Sequence, residues 1–146
     1  MKVLVVYDSM HGNTEKIARV IGGATGPDTG LERVGSAGAR ALEGVDLLIV
    51  GSPTHGGKPT PATQQFLAAL GEASLKGVKV AAFDTRLPSR FVGMFGYAAT
   101  RVAKDLESKG ATLVAPPEGF MVKATRGPLK DGEIGRAAKW AGALLG

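Results

Sequence analysis

The chain has 146 residues, 44% of them hydrophobic and 21% charged, with a formal net charge of +5 and no cysteine. This length favours one domain with a substantial core, and the lack of cysteine excludes disulfides, thiolate metal sites and cysteine nucleophiles. Two histidines, His11 and His55, are too few for most imidazole metal centres. No apolar run has the length of a membrane span, and "MKVLVVYD" is too short before its first acid to be a signal peptide. The expected location is therefore cytoplasmic, without membrane association. The basic balance raises nucleic acid as a partner, but the basic residues (Lys16, Arg19, Arg101, Lys104, Lys109, Arg136, Lys139) are scattered over helix faces. The expectation is a solvated basic surface that binds no nucleic acid, or one that attracts an acidic protein partner or an anionic ligand.

In chain order, "KVLVVY" (2–7) is a first strand, apolar on both faces. The pattern over 13–22 is a helix with Ile17, Val20 and Ile21 on one side, and the glycine-bearing stretch 22–30 is a surface loop. "LERV" (31–34) is a weak second strand, and 35–44 holds only a brief helix. "DLLIVG" (46–51) is a third strand. A helix over 61–70 begins with proline, which is tolerated there, and gathers Phe66, Leu67 and Leu70. "VKVAAFD" (78–84) is a fourth strand. A helix over 96–109 presents Ala99, Val102, Ala103 and Leu106 and stops at Gly110. "ATLVA" (111–115) begins a fifth strand, interrupted by Pro116 and Pro117 and resumed at "GFMV" (119–122). A last helix over 132–145 carries Ile134, Ala137, Ala138, Ala141 and Leu144 or Leu145 on one stripe, with Trp140 as packing.

Continuous apolar strands alternating with helices predict an α/β fold, a five-stranded parallel sheet covered on both faces. Right-handed crossovers leave few topologies, and the doubly wound order 2-1-3-4-5 leads. Ligands in such sheets bind at the carboxyl ends of the strands, at the switch point between the first and third. Three loops lie on that edge. In "DSMHGNT", after the first strand, the partnerless N–H groups of a helix start meet the side-chain donors of Ser9, Asn13 and Thr14, with Gly12 letting the backbone curl. A plain N-cap at Ser9 or Asn13 is the alternative; donor density and position favour an anion. The loop lacks the lysine of a nucleotide-triphosphate P-loop. "GSPTHGGKPTP" (51–61), after the third strand, is a shaped turn, with Gly56 and Gly57 open to unusual backbone angles. "DTRLPSRFVGMFG" (84–96), after the fourth, carries Asp84, Thr85, Arg86, Phe91, Met94 and Phe95, the large apolar ones being packing residues or ligand walls. Together they suit a ligand with a phosphate tail and a flat ring.

Those residues resemble the flavodoxin family. In "YDSMHGNTEKIA", Ser9, Gly12 and Thr14 match the family's phosphate loop, Asn13 is usual there, and Met10 and His11 complete the turn, His11 replacing a hydroxyl residue. A bulky ring before Gly-Asn-Thr is similar to the flavodoxin-like modules of flavodiiron proteins and to stand-alone bacterial relatives. "DLLIVGSPTH" and "VAAFDTR" with the chain from "LVAPPEGF" onward extend the resemblance over essentially the whole sequence. It implies non-covalent FMN and one-electron transfer between redox partner proteins. Ser9, Asn13, Thr14 and the loop amides would hold the phosphate; Pro53, Thr54 and His55 would lie along one side of the ring. A peptide at His55, Gly56 or Gly57 would turn its carbonyl to the reduced flavin. Asp84, Thr85 and Arg86 would approach the pyrimidine edge, with Phe91 as a ring wall. Unlike its commonly acidic relatives, this chain would favour the reduced, anionic flavin if His55 is protonated or Arg86 turns inward. One Trp and two Tyr put an aromatic sandwich around the flavin in question, and His55, Met10 or Phe91 would stand in.

Competing functions are an FMN-dependent NAD(P)H:quinone oxidoreductase, for whose usual insertions there is little room, and a flavodoxin-like module that has lost FMN. A signalling receiver domain shares the strand order but needs an aspartate nucleophile where the third strand here ends in Gly51-Ser52. The electron carrier is the expectation.

Overall fold

A computed structural model describes residues 1–88 and 96–146, with only the backbone of Ala39. Phe91, Met94 and Phe95 lie outside the described residues.

Among the described residues, six strands form one parallel sheet. β1 (Val3–Tyr7), β2 (Gly30–Arg33), β3 (Leu47–Pro53), β4 (Lys79–Arg86) and β5 (Thr112–Leu113) take the order β2-β1-β3-β4-β5, and β6 (Glu118–Met121) also pairs with β4. β5 and β6 are the two pieces of the interrupted edge strand. β5 pairs with Lys79 and Val80 at the start of β4; β6 pairs with Phe83 to Arg86 at its end. The segment containing Pro116 and Pro117, which have no N–H to donate, lies between the two ladders.

Helices cover both faces. α1 (Asn13–Thr25) and α4 (Glu133–Leu144) lie on one side, α2 (Pro61–Ala69) and α3 (Ala98–Ser108) on the other, and a 3-10 turn (Ala39–Leu42) is the brief helix expected there. Strand alternation divides the core. Val3, Val5, Tyr7, Leu47, Ile49, Ala81 and Phe83 meet Ile17, Ile21, Ala137 and Ala141; Leu4, Val6, Leu48, Val50, Val80 and Ala82 meet Phe66, Leu67, Val102 and Leu106. Trp140 packs as expected, edge-on to Phe83 and Phe120, with ring centroids 6.0–6.2 Å apart in the trio.

Three elements differ from the sequence reading. α1 runs on through Gly22 and Gly23 to Thr25, because Ile21 and Ala24 still pack on the core; the loop begins only at Gly26, where φ is 130°. Tertiary burial outweighs the low helix propensity of the two glycines. β4 extends past Asp84 to Arg86, so Thr85 and Arg86 are strand residues, not loop residues. Asp84 and Thr85 are paired on both sides, by Ser52 and Pro53 of β3 and by β6, and Arg86 is paired with Met121 of β6. Ile134, expected on the core stripe of α4, is 44% exposed.

The inward place at this end of α4 is taken by charged groups. Glu133 accepts the Met121 N–H of β6 at 2.7 Å and is paired with Arg136, whose guanidinium also reaches Glu118, the Gly119 carbonyl and the face of the Phe120 ring. The Arg136 guanidinium holds the Glu133 carboxyl below the usual carboxylate range, against the opposing pull of burial. A carboxylate with a lowered folded-state pKa stabilises the fold above its unfolded value of about 4.3, and that contribution is lost as pH falls through the lowered value. Glu133→Gln is therefore expected to cost about 1–3 kcal/mol at pH 7, with the difference from the parent shrinking in strong acid, as measured by urea unfolding at pH 7 and pH 3.

Candidate functional site

The carboxyl ends of β1, β3, β4 and β6 open onto one edge, and a cleft of about 430 Å³, part of it open to solvent, lies there. It is lined by Met10, His11, Asn13 and Thr14 from the loop after β1 and the start of α1, by Pro53 at the end of β3 with Thr54 and His55 after it, by Thr85 and Arg86 at the end of β4 with Leu87 after it, and by Val122 and Thr125 after β6. Nine of the residues singled out in the sequence thus meet in one place. Ser9, Gly12, Gly56 and Gly57 flank it within the same loops. Asp84 is fully buried behind Arg86 and does not line the cleft.

The start of α1 explains the polar loop. Ser9 Oγ accepts the N–H groups of Gly12 (3.1 Å) and Glu15 (3.3 Å), so this side chain acts as a cap. Gly12, at φ 89°, turns the chain into the helix. The amides of Met10, His11, Asn13 and Thr14 donate to no acceptor among the described residues, and the buried Asn13 side chain makes no hydrogen bond to them either. Thr14 Oγ1 and Thr85 Oγ1 are 2.7 Å apart; one hydroxyl donates to the other, which leaves one proton to spare.

The nearby acids are occupied. Asp8 accepts the Ser9 N–H and the Thr60 hydroxyl, and Glu15 is paired with Arg19 and Arg33, which lower its pKa. Partnerless amides, a helix start and neutral side-chain donors, with no free carboxylate among the described residues of this loop, suit a phosphate monoester. The donor set fits FMN at its phosphate end.

The turn after β3 is tight. His55 and Lys58 exchange backbone hydrogen bonds of 2.8 and 2.9 Å across Gly56 (φ 54°) and Gly57 (φ 78°). The Gly57 carbonyl accepts Arg101 Nε at 2.9 Å. Of the three carbonyls considered in the sequence, only that of Gly56 has no partner among the described residues. Thr54 ties the turn inward, its N–H on the Thr85 carbonyl (3.0 Å) and its hydroxyl accepting the Ala98 N–H (3.1 Å).

Arg86 lines the cleft without a free charge. Its Nε and Nη2 lie 2.7 and 2.8 Å from the two oxygens of Asp84. This qualifies the expectation that an inward Arg86 would act as a bare cation.

The segment after β6 is the part that sequence reasoning missed. Val122 pairs with Leu129 across a short hairpin, and the Gly127 N–H bonds the Ala124 carbonyl. The hairpin lies against the start of α1 so closely that a Cβ on Gly127 would stand 2.5 Å from Asn13 Oδ1. Val122 and Thr125 reach the cleft this way. The available signal was positional: this loop also leaves the carboxyl end of a parallel strand.

Comparison with known proteins agrees with this geometry. A family model described as a flavodoxin domain matches residues 4–115. Flavodoxin 2 from Bacillus cereus superimposes with a TM-score of 0.84 at 27% identity, covering 99% of this chain and 98% of that one. A flavodoxin from the domain Archaea gives 0.82 at 24% identity, covering 99% and 96%. Rubredoxin oxygen:oxidoreductase from Desulfovibrio gigas gives 0.75 at 24% identity, with 99% of this chain matching 36% of that one. With its strand order, its cleft and the family match over most of its length, this chain belongs to the flavodoxin family and has FMN as its cofactor.

Proposed function

We propose that the protein is an electron carrier, which holds FMN in the cleft and passes electrons between redox partner proteins without a substrate of its own. The observation that carries this reading is the set of partnerless donors at the start of α1, beside the cleft at the carboxyl ends of the strands. When bound there, FMN supplies reversible electron transfer through its ring system.

The chain's own groups do the rest. The amides of Met10, His11, Asn13 and Thr14, with the Asn13 side chain and the spare hydroxyl proton of the Thr14–Thr85 pair, bind the phosphate. Pro53, Leu87 and Val122 give the cleft apolar walls that exclude water. Met10, 55% exposed, and the exposed His55 stand at its mouth, where a partner can approach. Around the same edge Lys58, Lys123, Arg126 and Lys130 are exposed, and Asp131 is the exposed acid beside them, 3.8 Å from Lys123. This rim favours an acidic partner.

Asn13 and Ser9 should separate binding from folding. Asn13→Ala removes a side-chain donor that has no hydrogen-bond partner among the described residues. It is expected to weaken FMN at least about tenfold more than it weakens riboflavin, the value of one hydrogen bond to a charged group, any loosening of the contact with Gly127 falling on both ligands alike. Ser9→Ala strips two helix amides of their acceptor and should cost about 1 kcal/mol of stability. Fluorescence titration and urea unfolding measure the two; equal loss of FMN and riboflavin by Asn13→Ala would refute the phosphate assignment.

The carrier role and the basic rim are tested together by anaerobic stopped-flow oxidation of the reduced protein. Ferricyanide, an anion, should react more slowly as salt is raised from low to about physiological ionic strength, and hexaammineruthenium(III), a cation, faster. The opposite pair of slopes would remove the acidic-partner assignment. Steady NADPH oxidation with a quinone and no added reductase would replace the carrier by an enzyme.

A further inference from the structure

Asp84 and Arg86 form a unit that electron carrying by itself does not require. They are two residues apart on β4 and so point to the same face of the sheet. The Asp84 carboxylate is completely buried. It accepts Arg86 Nε and Nη2, and the Ala99 N–H in the first turn of α3 at 2.9 Å.

The guanidinium is held from both sides as well. Its Cζ lies 3.5 Å from the centroid of the Tyr97 ring. On the β6 side it packs over Gly119, where a Cβ would fall 2.2 Å from Arg86 Cζ. The side chain is 13% exposed, Arg86 lines the cleft, and Nη1 donates to no described residue. A planar guanidinium gripped through two nitrogens, with a third on offer, is a fixed donor.

The electrostatics follow from the grip. An isolated guanidinium in the wall of a partly enclosed cleft acts on a ligand as a full positive charge. A guanidinium in bidentate contact with a buried carboxylate acts as a short dipole, because the pair has no net charge. The ring of oxidised flavin is neutral, whereas that of fully reduced flavin is an anion at neutral pH. A bare cation in the wall would therefore favour the reduced cofactor, and a neutral pair would leave the two forms nearly balanced.

We propose that Asp84 and Arg86 act together as an uncharged hydrogen-bond donor to the cofactor, and that Asp84 is the positioning residue that prevents Arg86 from pulling the flavin towards its reduced form. This rests on the reading that FMN occupies this cleft. Asp84→Asn keeps the shape of the side chain and leaves the arginine charge uncompensated. The isosteric pair Asp84→Asn with Arg86→Gln restores neutrality.

The experiment titrates FMN into the apoproteins by fluorescence quenching and measures the potential of the last one-electron reduction of each holoprotein by spectroelectrochemistry. Asp84→Asn should raise that potential by about 59 mV or more, which is a hold on the anionic, fully reduced ring at least about tenfold tighter, relative to the neutral form that precedes it, than in the parent. The double variant should return to within about threefold of the parent, the residue of a lost dipole. A purely structural role for Asp84 would weaken both redox forms equally and leave the potential unmoved, which would overturn the proposal. Should Asp84→Asn fail to fold, the double variant decides alone: a tenfold or greater relative loss of reduced FMN would show that Arg86 works as an uncompensated cation in the parent. Failure of the parent apoprotein to quench FMN at all is a separate result, and would overturn the cofactor reading on which the proposal stands.

Discussion

The site depends on the pairing of β6 with the second half of β4. By supplying hydrogen-bond partners to Phe83 through Arg86, it prolongs β4 beyond the point where its apolar residues end. Strand alternation then acts on polar residues. Phe83 faces the α1/α4 core, Asp84 is buried towards α3, Thr85 turns to the Thr14 hydroxyl, and Arg86 follows Asp84. Phe83, Asp84 and Thr85 are also paired with β3, but Arg86 is paired only with β6; without that ladder Arg86 would lie in a loop, and a carboxylate as deeply buried as Asp84 would lose the fixed partner that offsets its desolvation.

The same pairing brings the hairpin after β6 over the start of α1. Two loops far apart in sequence close on each other through the contact of Gly127 with Asn13. The anchor sits at the base of this hairpin: Glu133 holds the Met121 amide, and Arg136 ties Glu133, Glu118 and the Gly119 carbonyl together. Charged residues from α4 thus fix the placement of a cleft to which they contribute no lining residue. Interior packing supports the arrangement from below, where Gly51 leaves the space that the Phe83 ring fills.

The start of α1 and the Arg86 wall use opposite means to the same result. At the start of α1, donors have no partner among the described residues and the acids close by are bound to Arg19, Arg33 and Thr60. At the Arg86 wall, a cation is present but its charge is matched by a buried acid. Both keep net charge out of the cleft, while exposed lysines and an arginine gather at its rim. A basic exterior around a nearly neutral interior separates attraction of a partner from the energetics of the cofactor, since rim charges are screened by salt over about 10 Å and groups within a partly buried cleft much less.

The layered α/β fold, the strand order, the broken edge strand, the packing of Trp140 and the polar loop at the start of α1 were legible in the residues alone. Each depends on local signals: continuous apolar runs, helical spacing, proline that cannot donate, and small donors at a strand-to-helix junction. Where α1 ends, how far β4 runs, the exposure of Ile134, the pairing of Arg86 with Asp84 and the share of Val122 and Thr125 in the cleft were decided by tertiary structure. Glycines 22 and 23 stay helical because a neighbouring surface buries Ile21 and Ala24. Arg86 is neutral in effect because a second ladder makes its strand long enough to carry both charges on one face. Such outcomes belong to partners distant in the chain, and the residues themselves hold no local record of them.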